Sequence, residues 1–385
     1  MNQKLTGKQY TLLASMLFGM FFGAGNLIFP IILGAKAGAS LVPALLGMLI
    51  TAVGMPLLGI VALGVSRSSG LMQMSGRVAK WYSYFFTCAL YLTIGPFFAI
   101  PRCAATSFTM GIAPLVSGSH TVPQAIFTTL FFAAVLFFAL RPNNIMNSIG
   151  KYLNPIFLIC LGILVVAALL DPIQSVGSVA ASGAYADNAF STGFLQGYDT
   201  LDALASLAFG IIVVNVIKEM GVEEPGAIAK NTIKSGVFSM VLMTVIYALI
   251  AIVGAQSYGL YADQLGEPSF NGGNAFAIIA QHYLGKAGMI VLALTVTFCC
   301  MKTAIGLVTA CADTFSVMFP RSLSYRSWAI VFTAFSLLVS NIGLSKIISF
   351  SAPVLYFLYP LAIMLILLNI FGKYFDYARP VFTWA

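Results

Sequence analysis

Two stretches of this sequence place glycine and polar residues inside long apolar runs. Residues 21–30 read FFGAGNLIFP and residues 206–212 read SLAFGII. Glycine loosens a helix, and Pro30 has no N–H to give to one. Peptide groups freed in an apolar medium are costly unless an ion or polar ligand satisfies them, so both stretches are candidate binding segments. A lone glycine would more simply mark close helix packing. Charges also fall in or beside apolar runs, at Arg102, Asp199, Asp202, Lys302 and Asp313. Both histidines, His120 and His282, sit in predicted loops. The six cysteines, including the adjacent Cys299 and Cys300, fall in apolar runs without metal-ligand spacing. No nucleophile–base pair and no metal cluster emerges, which argues against an enzyme and against a bound cofactor.

The elements that position these residues follow from composition. Hydrophobic residues make up 60% of the chain and charged residues only 8%, against roughly 25% charged in a soluble domain. The solvent for most of the surface is therefore lipid, and the fold class is an all-α membrane protein. Apolar runs bounded by charge, proline or glycine predict ten spans, at 10–34, 41–65, 79–109, 122–141, 148–170, 195–218, 231–257, 287–317, 327–343 and 346–371. A short amphipathic helix near 273–284 is expected on the surface. The first run is too long for the core of a signal peptide.

Orientation follows from the basic residues. With the N-terminus cytoplasmic, Lys4, Lys8, Arg67, Arg77, Lys80, Arg141, Lys151, Lys218, Lys230, Lys234, Arg321, Arg326, Lys373 and Arg379 all fall on the inner side. Only Lys36, Lys286 and Lys346 fall outside, where Asp171, Asp187, Asp263 and Glu267 lie. The net charge of +8 is accounted for by this bias and needs no nucleic-acid partner. The two glycine-bearing stretches lie in the first and sixth spans. Five spans separate them, so the second five must run inverted: 10–170 forms one repeat and 195–371 the other, within a single transmembrane domain. Interrupted helices at corresponding places of inverted halves point to a ligand site at the membrane midplane.

Three motifs carry a resemblance: FFGAGNLIFP in the first span, YLTIGPFFAIPR at 91–102 and GYDTLDALASLAFGIIVVN at 197–215. Together they resemble the branched-chain amino acid carrier family, bacterial cation symporters that are similar to the LeuT-type superfamily of five-plus-five inverted repeats. The resemblance extends over residues 10–372. It implies import of leucine, isoleucine and valine across the bacterial inner membrane, with Na+ or H+ as coupling ion, by alternating access. Family members have twelve spans. Residues 373–385 read as the start of an eleventh, and the eleventh and twelfth are otherwise missing here.

For such a zwitterionic substrate, the N–H groups of Gly23, Ala24, Gly25 and Asn26 suit the carboxylate, since they begin the second half of the first span at its positive dipole end. The Tyr91 hydroxyl could join them. Carbonyls near Leu207, Ala208 and Gly210, with the Ser206 hydroxyl, suit the ammonium. Phe209, Ile94 and Phe98 are candidates for the apolar wall. In the superfamily a sodium site lies between the first and eighth spans, which here maps to Gly19, Phe22, Cys299, Lys302 and Thr303. The family pattern near LTTAIGL reads MKTAIGL at 301–307, so Lys302 stands where a hydroxyl ligand is expected. An ammonium there would replace bound sodium in charge, making the carrier sodium-independent or proton-coupled. Arg102 with Asp202 is a candidate outer gate, and Asp313 with Lys4 or Lys8 a candidate inner latch. A different small neutral amino acid, export on the same fold, or a channel are the alternatives. Oligomeric state is not legible.

Overall fold

The computed structural model describes residues 5–66, 68, 70–141, 145–222 and 224–384. It is helical throughout, with no strand among the described residues. The helices are α1 (Gly7–Phe21), α2 (Ala24–Ala37), α3 (Leu41–Leu49), α4 (Met55–Val65), α5 (Leu71–Ser75), α6 (Lys80–Leu92), α7 (Ala99–Ser107), α8 (Thr121–Ala139), α9 (Ile145–Leu170), α10 (Ala184–Gln196), α11 (Asp202–Glu219), α12 (Pro225–Gln256), α13 (Gly272–Met318), α14 (Tyr325–Ser340), α15 (Leu344–Phe371) and α16 (Arg379–Trp384). Six continuous helical stretches among the described residues are long and apolar enough to cross a membrane, and shorter apolar helices accompany them. Large apolar side chains such as Leu130, Leu170, Phe238 and Leu338 lie more than 60% exposed. Such a surface is unfavourable in water and suits lipid tails.

The packing repeats itself under exchange of the first and sixth spans. The first span is α1 plus α2, and the sixth is α10 plus α11. α2 packs on α12, the seventh span, as α11 packs on α4, the second half of the second span. α1 also leans on α12, and α10 on α3. The fourth and ninth spans, α8 and α14, pack on each other. This is the contact pattern of two five-span sets inserted in opposite senses.

Glycine lets several of these helices approach to backbone contact. A Cβ on Gly34 would lie 1.9 Å from the Ala251 carbonyl oxygen, and one on Gly254 2.3 Å from that of Ile31, so α2 and α12 are locked by reciprocal glycines. Gly193 and Gly47 join α10 to α3 in the same way, with gaps of 1.9 Å to Ala44 O and 2.1 Å to Phe190 O.

Two expectations from sequence need correction. The helix near 273–284 is not a surface helix: it is the first part of α13, and Ala275, Phe276, Ile279 and Ala280 are buried. Its Gly272 abuts the Ile28 carbonyl of α2, where a Cβ would come within 2.0 Å. A left-handed bend at Gly285 (φ 59°) then turns the chain into the eighth span. The sixth span begins at Ala184 rather than near 195, because the polar segment 186–192 hides a helix that packs against α3. At the C-terminal end, residues 372–375 form a single tight turn and α16 follows, its Phe382 buried.

Gly34→Val should lower the melting temperature in detergent, by about 1–3 kcal/mol or more in stability, because the new side chain meets rigid backbone. Gly162→Val, with no atom within 4 Å of its Cβ position, should stay within about 0.5 kcal/mol. Equal melting temperatures for the two variants would refute the interlock.

Candidate functional site

Three interrupted helices meet at the centre of the bundle. In the first span, α1 stops at Phe21. Phe22 (φ −74°, ψ 106°) and Gly23 (φ −136°, ψ −159°) are extended, and α2 starts at Ala24. The first N–H groups of α2 therefore have no partner within the helix, and they carry the positive end of its dipole. This break falls where the GAGN motif places it.

The sixth span is also broken, but not within 206–212. α11 runs unbroken from Asp202 to Glu219. The interruption is the tight turn Gly197–Thr200, followed by Leu201 in the left-handed region (φ 67°). A left-handed leucine costs about 1–2 kcal/mol relative to its ordinary conformation. Gly210 is instead a packing glycine: a Cβ there would meet the Leu63 side chain of α4 at 2.3 Å. Ser206 likewise faces Gly59 of α4, and its hydroxyl donates to the Ala203 carbonyl at 2.6 Å. Leu207 and Ala208 are buried in the same regular helix, so their carbonyls are spent on the helical ladder rather than freed.

The third interruption was not anticipated. In the third span, a wide turn at Thr93–Phe97 with a non-helical Gly95 separates α6 from α7, and Pro96 follows it. The carbonyl released at Tyr91 accepts the Cys311 thiol at 3.4 Å. Sequence did offer the signal, in the Gly95–Pro96 pair. This break sets Arg102 in the first turn of α7.

Arg102 is 3% exposed. Its Nη1 donates to the Asp199 carbonyl at 2.6 Å and its Nη2 to that of Thr200 at 3.4 Å, both within the interrupted part of the sixth span. The guanidinium also lies over the Phe29 ring at 5.3 Å. The expected Arg102–Asp202 ion pair is thus replaced in this conformation by bonds from Arg102 to bare peptide oxygens. Asp202, also 3% exposed, turns to neutral partners. Its Oδ2 accepts from Asn26 Nδ2 at 2.7 Å and from the Tyr247 hydroxyl at 3.0 Å. Asn26 also bonds Tyr247 directly, and its Oδ1 accepts the Gly23 N–H at 2.7 Å. Asn26 thereby closes the first-span break with one end of its amide and reaches the sixth and seventh spans with the other. Tyr247, which joins this network, has no counterpart among the sequence candidates, since a tyrosine in an apolar run carries no spacing signal.

These groups surround a cavity of about 40 Å3 lined by Gly23, Ala24, Gly25, Asn26, Arg102, Thr200, Asp202, Thr303, and the apolar Ile94, Ala205, Phe209 and Leu307. That is room for a water molecule or so, not for an amino acid. Of the expected ligand residues, the structure brings Gly23, Ala24, Gly25, Asn26, Phe209 and Ile94 to it, but not Phe98. Tyr91, Ser206, Leu207, Ala208 and Gly210 do not line it. A second cavity of about 270 Å3 lies towards the Lys36 end, lined by Phe29, Lys36, Gln196, Asp199, Phe270 and Ser345 among others. Phe29 borders this cavity while carrying Arg102 on its ring, and so stands between the two spaces.

Around the expected sodium site, the Cys299 thiol donates to the Phe22 carbonyl at 3.5 Å, and the Thr303 hydroxyl to the Cys299 carbonyl at 3.3 Å. Gly19 is buried in α1. Thr303 faces Gly23, with 3.3 Å between its Oγ1 and the position of a Cβ. Lys302 is half-buried on the flank of the same helix and does not line the central cavity. The expected inner latch is not formed between Asp313 and Lys8 among the described residues. Asp313 and Lys8 are both exposed, and Lys4 lies outside the described residues. Instead Tyr10 of α1 donates to Asn231 of α12 and carries the Lys234 ammonium 5.6 Å from its ring centre.

Two broken helices from oppositely inserted five-span sets, meeting at a small cavity lined by both polar and apolar groups, define a LeuT-type membrane transporter fold. Solved structures agree. MhsT in complex with L-phenylalanine superposes with a TM-score of 0.65 at 17% identity, covering 95% of this chain and 89% of that one. A manganese transporter mutant from Eremococcus coleocola gives 0.63 at 14% identity, covering 95% and 81%. At these identities the likeness concerns the fold. The chain itself belongs to the branched-chain amino acid transport protein family, which it matches over residues 6–385. The branched-chain amino acid permease BrnQ of Lactobacillus delbrueckii subsp. lactis is 52% identical over 98% of this chain and 84% of its own length. The permease of the same name from Bacillus subtilis is 41% identical over 97% and 84%.

Asn26→Ala removes the partner of the Gly23 N–H and one of the two donors to Asp202. It should destabilise the protein by about 2.5–6 kcal/mol: about 1–3 for the Gly23 N–H left unsatisfied and about 1.5–3 for the bond lost by Asp202, which keeps Tyr247. Tyr247→Phe removes a single hydroxyl and should cost less. Thermal unfolding in detergent measures both, and an equal or reversed order would contradict the network.

Proposed function

We propose that this protein is a secondary transporter that imports branched-chain amino acids across a bacterial cytoplasmic membrane by alternating access. The observation that carries the reading is the central cavity between broken helices, in a chain whose relatives are named branched-chain amino acid permeases. A chain with its N-terminus on the cytoplasmic side accords with the basic residues concentrated in one set of loops. The ligand sits against the start of α2 and the interrupted part of the sixth span, where freed peptide groups face the cavity. Phe209, Ala205, Ile94 and Leu307 give the aliphatic side chain its surroundings. Leucine, isoleucine and valine differ by a methylene or its placement, worth about 1–3 kcal/mol in such a pocket, so all three are taken. At about 40 Å3 the cavity holds none of them in this conformation, and the binding state requires the first, second, sixth and seventh spans (α1 to α4 and α10 to α12) to shift against the third, fourth, eighth and ninth. Arg102, between the central cavity and the larger one at the Lys36 end, acts in the outer closure.

The coupling ion is the family's open variable, and the proposal for this chain is coupling without sodium. Lys302 occupies the expected sodium-ligand position in sequence, and two carbonyl oxygens nearby are engaged by protein donors: that of Phe22 accepts the Cys299 thiol, and that of Cys299 accepts the Thr303 hydroxyl. Sodium prefers several hard oxygen ligands; a lysine supplies none and adds like-charge repulsion.

In proteoliposomes, leucine uptake should saturate, be competed by isoleucine and valine, and show counterflow. Replacing sodium by choline should leave the initial rate within about twofold, a difference under half a kcal/mol, whereas collapsing an imposed proton gradient should abolish accumulation. Absence of saturable leucine uptake would overturn the transport reading. A strict sodium requirement would leave that reading standing and remove the role given to Lys302.

A further inference from the structure

The central cavity is bounded by one buried cation and one buried anion that do not pair with each other. Arg102 reaches it from α7 and Asp202 from the first turn of α11, and both line it. Each charge takes its hydrogen bonds from neutral groups, carbonyl oxygens of Asp199 and Thr200 for the guanidinium, an amide and a phenol for the carboxylate, while the half-buried Asp199 carboxylate balances the guanidinium from outside the cavity lining. Isolated charges in a bundle interior are disfavoured unless paired or put to use. Two charges of opposite sign held apart, each fixed in place by dipoles, are a poor static ion pair but a good complement to a molecule that carries both signs.

The geometry around each charge is directional. A guanidinium has five N–H donors in a planar fork, and the two carbonyl bonds engage Nη1 and Nη2 once each. Nη2 lies 3.1 Å from the position a Cβ on Gly25 would take, so it stands directly over the first turn of α2, and any side chain there would press on it. Arg102 and the unpaired N–H groups of Ala24 and Gly25 therefore converge on one place, which suits a carboxylate. On the other side, Asn26 and Tyr247 both donate to Oδ2 of Asp202, which fixes the carboxylate at the edge of the cavity that it lines.

We infer that Arg102 and Asp202 read the two charges of the substrate, with Arg102 and the start of α2 taking the α-carboxylate and Asp202 taking the α-ammonium. This inference deepens the proposed function and rests on it. It replaces the helix carbonyls of residues 207, 208 and 210, which are spent within α11, as the partner of the ammonium. Selection then divides in two: the charged pair requires an α-amino acid, and the apolar wall with Phe209 sorts the side chain.

Competition against radiolabelled leucine, on purified protein in detergent, tests it with three probes: leucine, leucinamide (no carboxylate) and 4-methylpentanoate (no ammonium). The unsubstituted protein should prefer leucine over either analogue by at least about thirtyfold, as expected for loss of one partner of a buried charge pair. Asp202→Asn should collapse the preference over 4-methylpentanoate and keep that over leucinamide, and Arg102→Gln should do the reverse. The inference is overturned if each substitution weakens all probes alike, or if Asp202→Asn alters only sodium or pH dependence with the probe ranking intact. The latter would make Asp202 a coupling-ion group. A leucine-bound structure of the unsubstituted protein decides independently of whether the variants fold: contact of both side chains with the substrate's head group supports the inference, and contact with neither refutes it. Failure of the unsubstituted protein to bind leucine at all would instead overturn the transport reading on which this rests.

Discussion

Every peptide group that leaves a helix inside this apolar bundle must find another partner, and the centre of the structure is organised by that constraint. Three helices are interrupted at the same place, which would be ruinous if each left its ends bare. Each break is closed by side chains, from the same span or from a neighbour. Asn26 turns back on the Gly23 N–H, Arg102 takes the carbonyls of Asp199 and Thr200, and two thiols, Cys299 and Cys311, give weak donors to the carbonyls of Phe22 and Tyr91. The cysteines that hold no metal thus have a plain structural use as small donors in tight places.

The same arrangement explains how an arginine and an aspartate persist there. An uncompensated charge at the centre of a bilayer costs at least about 2.5–3.5 kcal/mol on insertion scales. The exposed carbonyls of an interrupted helix form a concentrated negative surface, and the unpaired N–H groups of α2 a positive one. Breaking helices and burying charges are each expensive, yet together they offset one another, since each supplies what the other lacks. The aromatic stack of Tyr198 on Tyr359, with ring centres 4.0 Å apart, holds the interrupted part of the sixth span against α15 and keeps this arrangement in register.

Much of this was legible from residue order. The spans, the inverted halves and the break at Gly23 follow from hydropathy, basic-residue bias and a motif in which glycine, asparagine and proline reinforce one another. The break in the sixth span was assigned to the wrong glycine. Gly210 resembles a helix breaker in sequence, but its lack of a side chain serves close packing on Leu63, while the true break at Leu201 involves a residue whose type gives no warning of a left-handed backbone. Thr200 and Asp202 are helix-start residues and would have marked the correct place. Tyr247 and the wall contributed by Ala205 and Leu307 were invisible because they become neighbours of Asn26 and Arg102 only through tertiary packing. The fold is written in periodicity; the partners of each polar group are not.

The reciprocal glycines of α2 and α12 bear on how such a molecule can move. Two helices separated by side chains can slide, one layer exchanging rotamers against the other. Gly34 and Gly254 bring main chain against main chain, and there is nothing between them to gear past. These two helices must travel as one beam, so bending is concentrated at Phe22 and Gly23, where α1 and α2 are joined by extended backbone alone. α1, tethered to α12 by the hydroxyl of Tyr10 and the backbone-directed hydroxyl of Ser239, is the lighter arm of the pair, free to swing once those two small clasps open.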